Sequence, residues 1–103
     1  MMRSRLRNRR SCETRQIEAS GLKFVMSVDR YDDGRIGELF LTNHKAGSAA
    51  GIMASDSAVL ASLLLQHGVS LELIRRSLMR DPKGKAMSPI GAALDSLAEI
   101  QLS

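Results

Sequence analysis

The apolar residues of this chain change their spacing once, across the stretch 43–48, and this change limits the folds open to it. Before it, the segment 22–28 alternates apolar and polar residues, which is the period of a half-buried β-strand. After it, residues 49–67 are apolar through most turns of a predicted helix, and Gly68 is a usual residue just past a helix end. Strands gathered in the first half and helices in the second predict an α+β domain.

The first half predicts a three-stranded antiparallel meander. Residues 12–18 are mostly polar, which suits an edge strand whose charges discourage stray pairing. The second strand is expected at 22–28. The dipeptide Asp33-Gly34 lies between two apolar runs and is a strong hairpin signal, so the strand at 36–42 should pair with the second.

The second half predicts two or three helices packed on this sheet. The first helix is so apolar between residues 58 and 65 that we expect it to be buried on more than one side. A three-stranded sheet cannot cover such a helix, which predicts a homodimer or a stable heterocomplex. Ser70 begins a short helix over 71–79, and Ser88 with Pro89 begins the last one. Its predicted buried face consists of Ile90, Ala93, Leu94, Leu97 and Ile100.

Composition narrows the class of protein further. A chain of 103 residues fits one domain, and 44% apolar residues exclude wholesale disorder. The single cysteine, Cys12, excludes an internal disulfide and predicts a reducing, cytoplasmic location. No unbroken apolar run approaches the ~20 residues of a membrane span, so no membrane association is expected.

The positive charge is concentrated at the N-terminus. The chain carries a net charge of +4, and residues 1–10 hold five arginines and no acidic residue. The rest of the chain has 10 basic and 11 acidic residues, so its net charge is −1. We therefore divide the chain into a basic arm, 1–10, and a single domain, 11–103. The arm either docks in part as a first strand or contacts phosphate on nucleic acid or a nucleotide. The arginines concerned are Arg3, Arg5, Arg7, Arg9 and Arg10.

A lysine, a glycine and a serine meet the predicted start of the first long helix. Because helix N-termini present free N–H groups to anions, Lys45, Gly47 and Ser48 are a candidate anion- or nucleotide-binding loop. The order of these residues is not that of a P-loop. The structural alternative is an ordinary loop in which Ser48 caps the helix.

No catalytic or metal-binding set emerges from the remaining reactive residues. Cys12, His44 and His67 share no zinc-site spacing. His67 suits a helix C-terminus, and Cys12 is either a strand-end residue or a thiol activated by nearby arginines. Asp32 and Asp33 could suggest a pair of catalytic acids, but a tight turn explains them better.

Four motifs occur in order along the chain and together carry a family resemblance. In this order they resemble the C-terminal domain of cobalamin-dependent ribonucleotide reductases, known as the TSCPD domain, which also occurs as small free-standing proteins. The resemblance covers roughly residues 9–97. The motifs are Tyr31-Asp32-Asp33-Gly34-Arg35, Gly37-Glu38-Leu39-Phe40, Lys45-Ala46-Gly47-Ser48, and Leu63 to Gly68 with Ser70-Leu71-Glu72.

The motif that names the family, Thr-Ser-Cys-Pro-Asp, falls at residues 86–90. Of its last three residues only Pro89 is retained, because Ser88 replaces the cysteine and Ile90 the aspartate. Any role of that cysteine is therefore absent here. A helix start formed by Ser88 and Pro89 is still expected.

The resemblance implies a link to deoxyribonucleotide synthesis and DNA replication. Reductases of this kind use a cysteine radical and a pair of thiols, whereas this chain has Cys12 alone. The resemblance thus implies an accessory or regulatory domain, partnered with a ribonucleotide reductase subunit, that binds no cofactor itself; cobalamin is expected only in full-length relatives. The alternatives are a nucleic-acid-binding module that uses the arginine arm and a small nucleotide- or anion-binding regulator.

Overall fold

The computed structural model of the protein describes residues 12–43 and 47–102. The basic arm and Lys45 lie outside the described residues, as do the side chains of Cys12 and Ile100. The described elements follow the predicted α+β order, three strands and then three helices. Their bounds are β1 Cys12–Ala19, β2 Leu22–Arg30, β3 Ile36–Thr42, α1 Ala49–Gln66, α2 Leu71–Ser77 and α3 Pro89–Leu102.

The strands form the predicted antiparallel meander, with β2 between β1 and β3. The β2–β3 turn is closed by Asp33, whose carboxylate accepts hydrogen bonds from the Arg35 backbone N–H at 3.0 Å and from Arg35 Nε at 2.8 Å. Gly34 adopts a φ of +92°, a conformation that glycine takes without steric cost. The expectation that the aspartates serve a turn is therefore confirmed for Asp33.

One face of the sheet forms the core. Alternate residues of each strand point toward the helices, and the matching face of α3 supplies the other half of the contact. Of the five residues predicted for that face, Ile90, Ala93, Leu94 and Leu97 are buried. The largest fully buried side chains are Phe24, Met26, Val28, Leu39, Leu41, Leu94 and Leu97.

The start of α3 confirms the role expected of Ser88 and Pro89. Ser88 Oγ accepts a hydrogen bond from the Gly91 N–H at 3.0 Å, and α3 begins at Pro89. Gly91 packs closely at this point: a Cβ there would lie 3.0 Å from Ala86 Cβ and 3.1 Å from Ser88 Oγ, so that these neighbours would have to shift by a few tenths of an ångström. The segment that holds the family's naming motif is thus a closely packed helix start.

An ion-pair cluster joins α2, the following loop and α3. The Asp95 carboxylate accepts hydrogen bonds from Arg80 Nη2 at 2.7 Å and from Arg80 Nη1 at 2.8 Å. It accepts a third from Arg75 Nε at 2.9 Å. Chiefly the hydrogen bonds from Arg80, and then those from Arg75, hold the pKa of Asp95 below its ordinary value of 3.8. The same contact raises the pKa of Arg80. Sequence reasoning missed this cluster, because its members are separated along the chain.

Candidate functional site

Helix α1 lies along β3, and polar side chains on its inner side bond the backbone of that strand. Ser62 Oγ accepts the Leu39 N–H at 2.9 Å and lies 3.1 Å from the Leu39 carbonyl oxygen. Gln66 Nε2 donates to the Gly37 carbonyl at 2.8 Å. Ser55 Oγ donates to the Leu41 carbonyl in the same way, at 3.0 Å. The helix therefore takes the place of a further strand at this edge of the sheet.

Small residues let α1 approach the sheet this closely. Ala54, Ala58 and Ala61 are 1–3% exposed and alternate with the bonding side chains along the inner side. Their short side chains leave room for Ser55, Ser62 and Gln66 to reach the backbone of the strand.

The large apolar residues of α1 point away from the core. Their exposed fractions are between 44% and 69%, although the sequence predicted burial on more than one side within this segment. Within the single chain the helix buries its alanines, Ser62 and Gln66 against β3 and leaves the larger side chains outside, as expected of a helix that the sheet cannot cover. Burial of these side chains by a second chain stays a prediction. We call this set the outer face of α1: Ile52, Met53, Val59, Leu60 and Leu64.

A shallow groove continues the outer face toward β3. It has a volume of about 160 Å³, and its lining is partly apolar and partly polar: Leu39, Phe40, Val59 and Leu63, with Glu38, Ser62 and Gln66. Phe40 is 46% exposed, on the side of β3 opposite to the core. The Oε1 of Gln66 is buried and has no hydrogen-bond partner among the described residues. The groove therefore adds an aromatic ring to the apolar outer face.

The start of α1 shows two of the three residues predicted for an anion-binding loop. Ser48 Oγ accepts the Gly51 N–H at 3.1 Å, so Ser48 caps the helix as its structural alternative required. Gly47 has a φ of +82°. Both lie near a cleft of about 380 Å³ that Gly47, Thr42, Asn43 and Asp56 help to line. Lys45 lies outside the described residues.

Two other residues singled out in the sequence, His67 and Cys12, lie at the ends of secondary-structure elements. His67 is the C-cap of α1, and its N–H bonds the Leu63 carbonyl at 3.0 Å, as its place beside Gly68 predicted. Cys12 is the first residue of β1. Within residues 12–43 and 47–102, no group of three histidine, cysteine or acidic side chains could hold a metal ion.

By length and composition alone, α1 passes the test for a membrane-spanning helix, with 18 residues and a mean hydropathy of 1.4. The position of α1 in the fold gives a different reason for its apolar composition. Ser62 and Gln66 are buried against β3 and bond its backbone. Helix α1 is therefore packed as one layer of a folded domain.

The architecture defines a small α+β domain, a three-stranded meander with helices on one face. The chain belongs to the TSCPD domain family, whose model matches residues 3–100. The match takes in most of the arginine arm. No solved structure matches the chain.

Similar proteins carry the name vitamin B12-dependent ribonucleotide reductase. The protein from Agrobacterium fabrum is 41% identical over 70 residues, and that from Bradyrhizobium diazoefficiens is 37% identical over 70 residues; each match covers 68% of this chain. The protein from Rhodopirellula baltica is 36% identical over 72 residues, which is 70% of this chain. The matched segments are only 6–7% of those proteins. The family link suggested by the four motifs is thereby confirmed.

The name of those relatives refers to vitamin B12, but the matched segment is only 6–7% of each of them. Three clefts on the described surface have volumes of about 160, 290 and 380 Å³; two lie below the usual range for drug-sized ligands and one lies near its lower end. A corrin macrocycle with its lower nucleotide is larger than such ligands. We derive no chemistry through cobalamin for the described residues.

Proposed function

We propose that this protein is an accessory domain that binds a ribonucleotide reductase through the outer face of α1 and changes the rate or stability of that enzyme. The exposed side chains of this face carry the proposal. Leu60 and Met53 are 63% and 69% exposed. The kinship with a segment of reductase chains supports the choice of partner.

The charge of α1 also favours a protein partner. Among its 18 residues, Asp56 is the only acid and there is no lysine or arginine. An apolar surface of this kind is typical of contact with another protein rather than with a polyanion, which basic residues would bind. The contact is expected to persist at raised salt, because apolar burial is not screened.

The test is a binding titration of the purified chain against the ribonucleotide reductase of the same cell. Leu60→Lys places a charge in the contact, so we expect the dissociation constant to rise by about tenfold or more. Leu73→Lys is the matched control, since Leu73 is also an exposed leucine, 45% exposed, but lies on α2. Equal binding by both variants, or no binding by the wild type, contradicts the proposal.

A second candidate function is phosphate or nucleotide binding beside the start of α1. The cleft lined by Gly47, Thr42 and Asn43 supports it, because an 18-residue helix directs its N-terminus toward this side. Asp56 lines the same cleft and opposes an anion there. Titration with inorganic phosphate and with a nucleotide at low salt tests this candidate. Affinity that is lost in Lys45→Ala but unchanged in Lys83→Ala, an exposed lysine in the loop after α2, supports it.

A further inference from the structure

The two edges of the sheet differ in how their backbone groups are satisfied. At β3, Ser55, Ser62 and Gln66 bond the outward-facing groups of the strand. At β1, no hydrogen bond from a described residue reaches the outward-facing backbone groups. Among the described residues, the outer edge of this eight-residue strand is without a partner, and such an edge is a template on which another strand can pair.

The pairing of the sheet shows which residues of β1 face outward. Leu39 turns its N–H and carbonyl to Ser62, so its cross-strand partner Val28 must turn its own groups toward β1. Val28 pairs with Glu13, which therefore bonds inward to β2. Along a strand, the backbone N–H and carbonyl groups of successive residues point alternately to one neighbouring strand and to the other. The outward-facing residues beyond Glu13 are therefore Thr14, Gln16 and Glu18.

We propose that β1 pairs antiparallel with β1 of a second copy of this chain, with the two Thr14 residues opposite each other on the two-fold axis. In this register Glu13 of each copy lies opposite Arg15 of the other, which forms two ion pairs. Thr14 faces outward, as the centre of a hydrogen-bonded pair must. The two meanders then form one continuous six-stranded sheet.

Charge selects this register over its neighbours. Pairing centred on Arg15 would place two arginines opposite each other, which is destabilising. Pairing centred on Gln16 would place Arg15 opposite Ile17 and would form no ion pair. Only the register centred on Thr14 brings opposite charges together within β1.

The two charged side chains are accessible at the surface, and each has one polar partner within its own chain. Glu13 receives Arg30 Nε at 2.7 Å and is still 40% exposed. Arg15 is exposed and donates to Ser96 Oγ at 3.0 Å. Both lie on the helix-covered face of the sheet, because their partners on β2 are the buried Val28 and Met26.

The proposal goes beyond the proposed function and uses a different surface. The self-pairing edge is β1, whereas α1 lies along β3 at the opposite edge. A dimer formed in this way leaves the outer face of α1 accessible in both copies. Loss of one interaction therefore leaves the other to be measured separately.

The first test is charge reversal and mixing, read by sedimentation equilibrium. Glu13→Arg and Arg15→Glu each place like charges opposite each other, so we expect each dimer dissociation constant to rise by about tenfold or more. An equimolar mixture of the two variants restores both ion pairs and should form a heterodimer. Arg76→Glu, an exposed charge reversal on α2, should leave the wild-type dimer intact. Circular dichroism checks that every variant is folded.

The second test fixes the register by cross-linking in a Cys12→Ser background under mild oxidation. Thr14→Cys should form a covalent dimer, because Cα atoms of a hydrogen-bonded pair are about 5.5 Å apart and disulfides span up to about 6.8 Å. Gln16→Cys should not, because its two copies are offset by four residues, about 13 Å along the strand. A wild-type monomer at all concentrations, cross-linking of Gln16→Cys instead of Thr14→Cys, or a mixture that stays monomeric would each overturn the proposal.

Discussion

Ser62 on α1 bonds Leu39 on β3 at the edge of the sheet, with its Oγ accepting the Leu39 N–H at 2.9 Å and lying 3.1 Å from the Leu39 carbonyl oxygen. The same hydroxyl is 2.8 Å from the Ala58 carbonyl, so its single proton is shared between two acceptors. Both residues are buried. One hydroxyl thus satisfies strand groups that would otherwise be buried without partners.

Replacing this hydroxyl should destabilise the fold. Ser62→Ala leaves the Leu39 N–H and carbonyl without their partner, which we expect to lower the free energy of unfolding by about 1–3 kcal/mol. Urea denaturation followed by circular dichroism measures it. Ser57→Ala is the matched control, because Ser57 Oγ bonds only the Met53 carbonyl of its own helix and should change stability by less than about 0.5 kcal/mol. Equal losses in both variants would show that the edge contact is not responsible.

The Asp95 cluster should make stability depend on acid. Because Arg80 and Arg75 lower the pKa of Asp95, the ionised carboxylate stabilises the folded state at neutral pH. That contribution declines as the pH falls below the ordinary value of 3.8 and is lost below the folded-state pKa. We expect Asp95→Asn to lower the melting temperature at pH 7 and to differ much less from the wild type at the acid end of the titration.

An arginine variant separates charge from geometry in the same cluster. Arg80 holds both oxygens of Asp95, which a lysine cannot do in the same planar arrangement. Arg80→Lys should therefore lower the melting temperature at pH 7, whereas Arg76→Lys, an exposed position on α2, should not. Equal melting temperatures for Arg80→Lys and the wild type would contradict this role.

The basic arm is expected to contribute little to folding. Deleting residues 1–8 removes no apolar periodicity, so the thermal melts of the two forms should nearly coincide, within about 0.5 kcal/mol. If the deletion costs more than about 2 kcal/mol, the arm is part of the core instead. The deleted form also tests nucleic-acid binding, since affinity for DNA that depends on the arm should disappear and should fall steeply with salt in the intact chain.

The chain alone should show no ribonucleotide reductase activity, with or without cobalamin. Radical abstraction and substrate reduction in such enzymes need three thiols, and Cys12 is the only one here. When the chain is added to a reductase, Cys12→Ser should behave as the wild type does in an assay of deoxynucleotide formation. Turnover by the isolated chain that Cys12→Ser abolishes would reveal thiol catalysis and would refute the accessory role.

Local patterns determined most of the secondary structure. The period-2 segment around Phe24 and the Asp33-Gly34 turn were sufficient to predict the meander, because strand alternation and turn conformation depend on neighbouring residues. Ser48 and Ser70 marked two helix starts correctly for the same reason. The predicted helix ends differed by one or two residues, at His67 and Leu78, where the chain leaves helical geometry as the C-caps form.

Only the tertiary structure decided what each side of α1 does. The sequence showed a helix too apolar for the sheet to cover, but it did not show which side faces the core; in the structure Ala54, Ala58 and Ala61 do. The reason is that Ser62 and Gln66 must reach the backbone of β3, a contact between residues 23 and 29 positions apart, and only small neighbours permit that distance. The sequence alone therefore determined which segments are strands and helices. The packing of distant segments determined which apolar residues stay exposed and which edge of the sheet has no partner among the described residues.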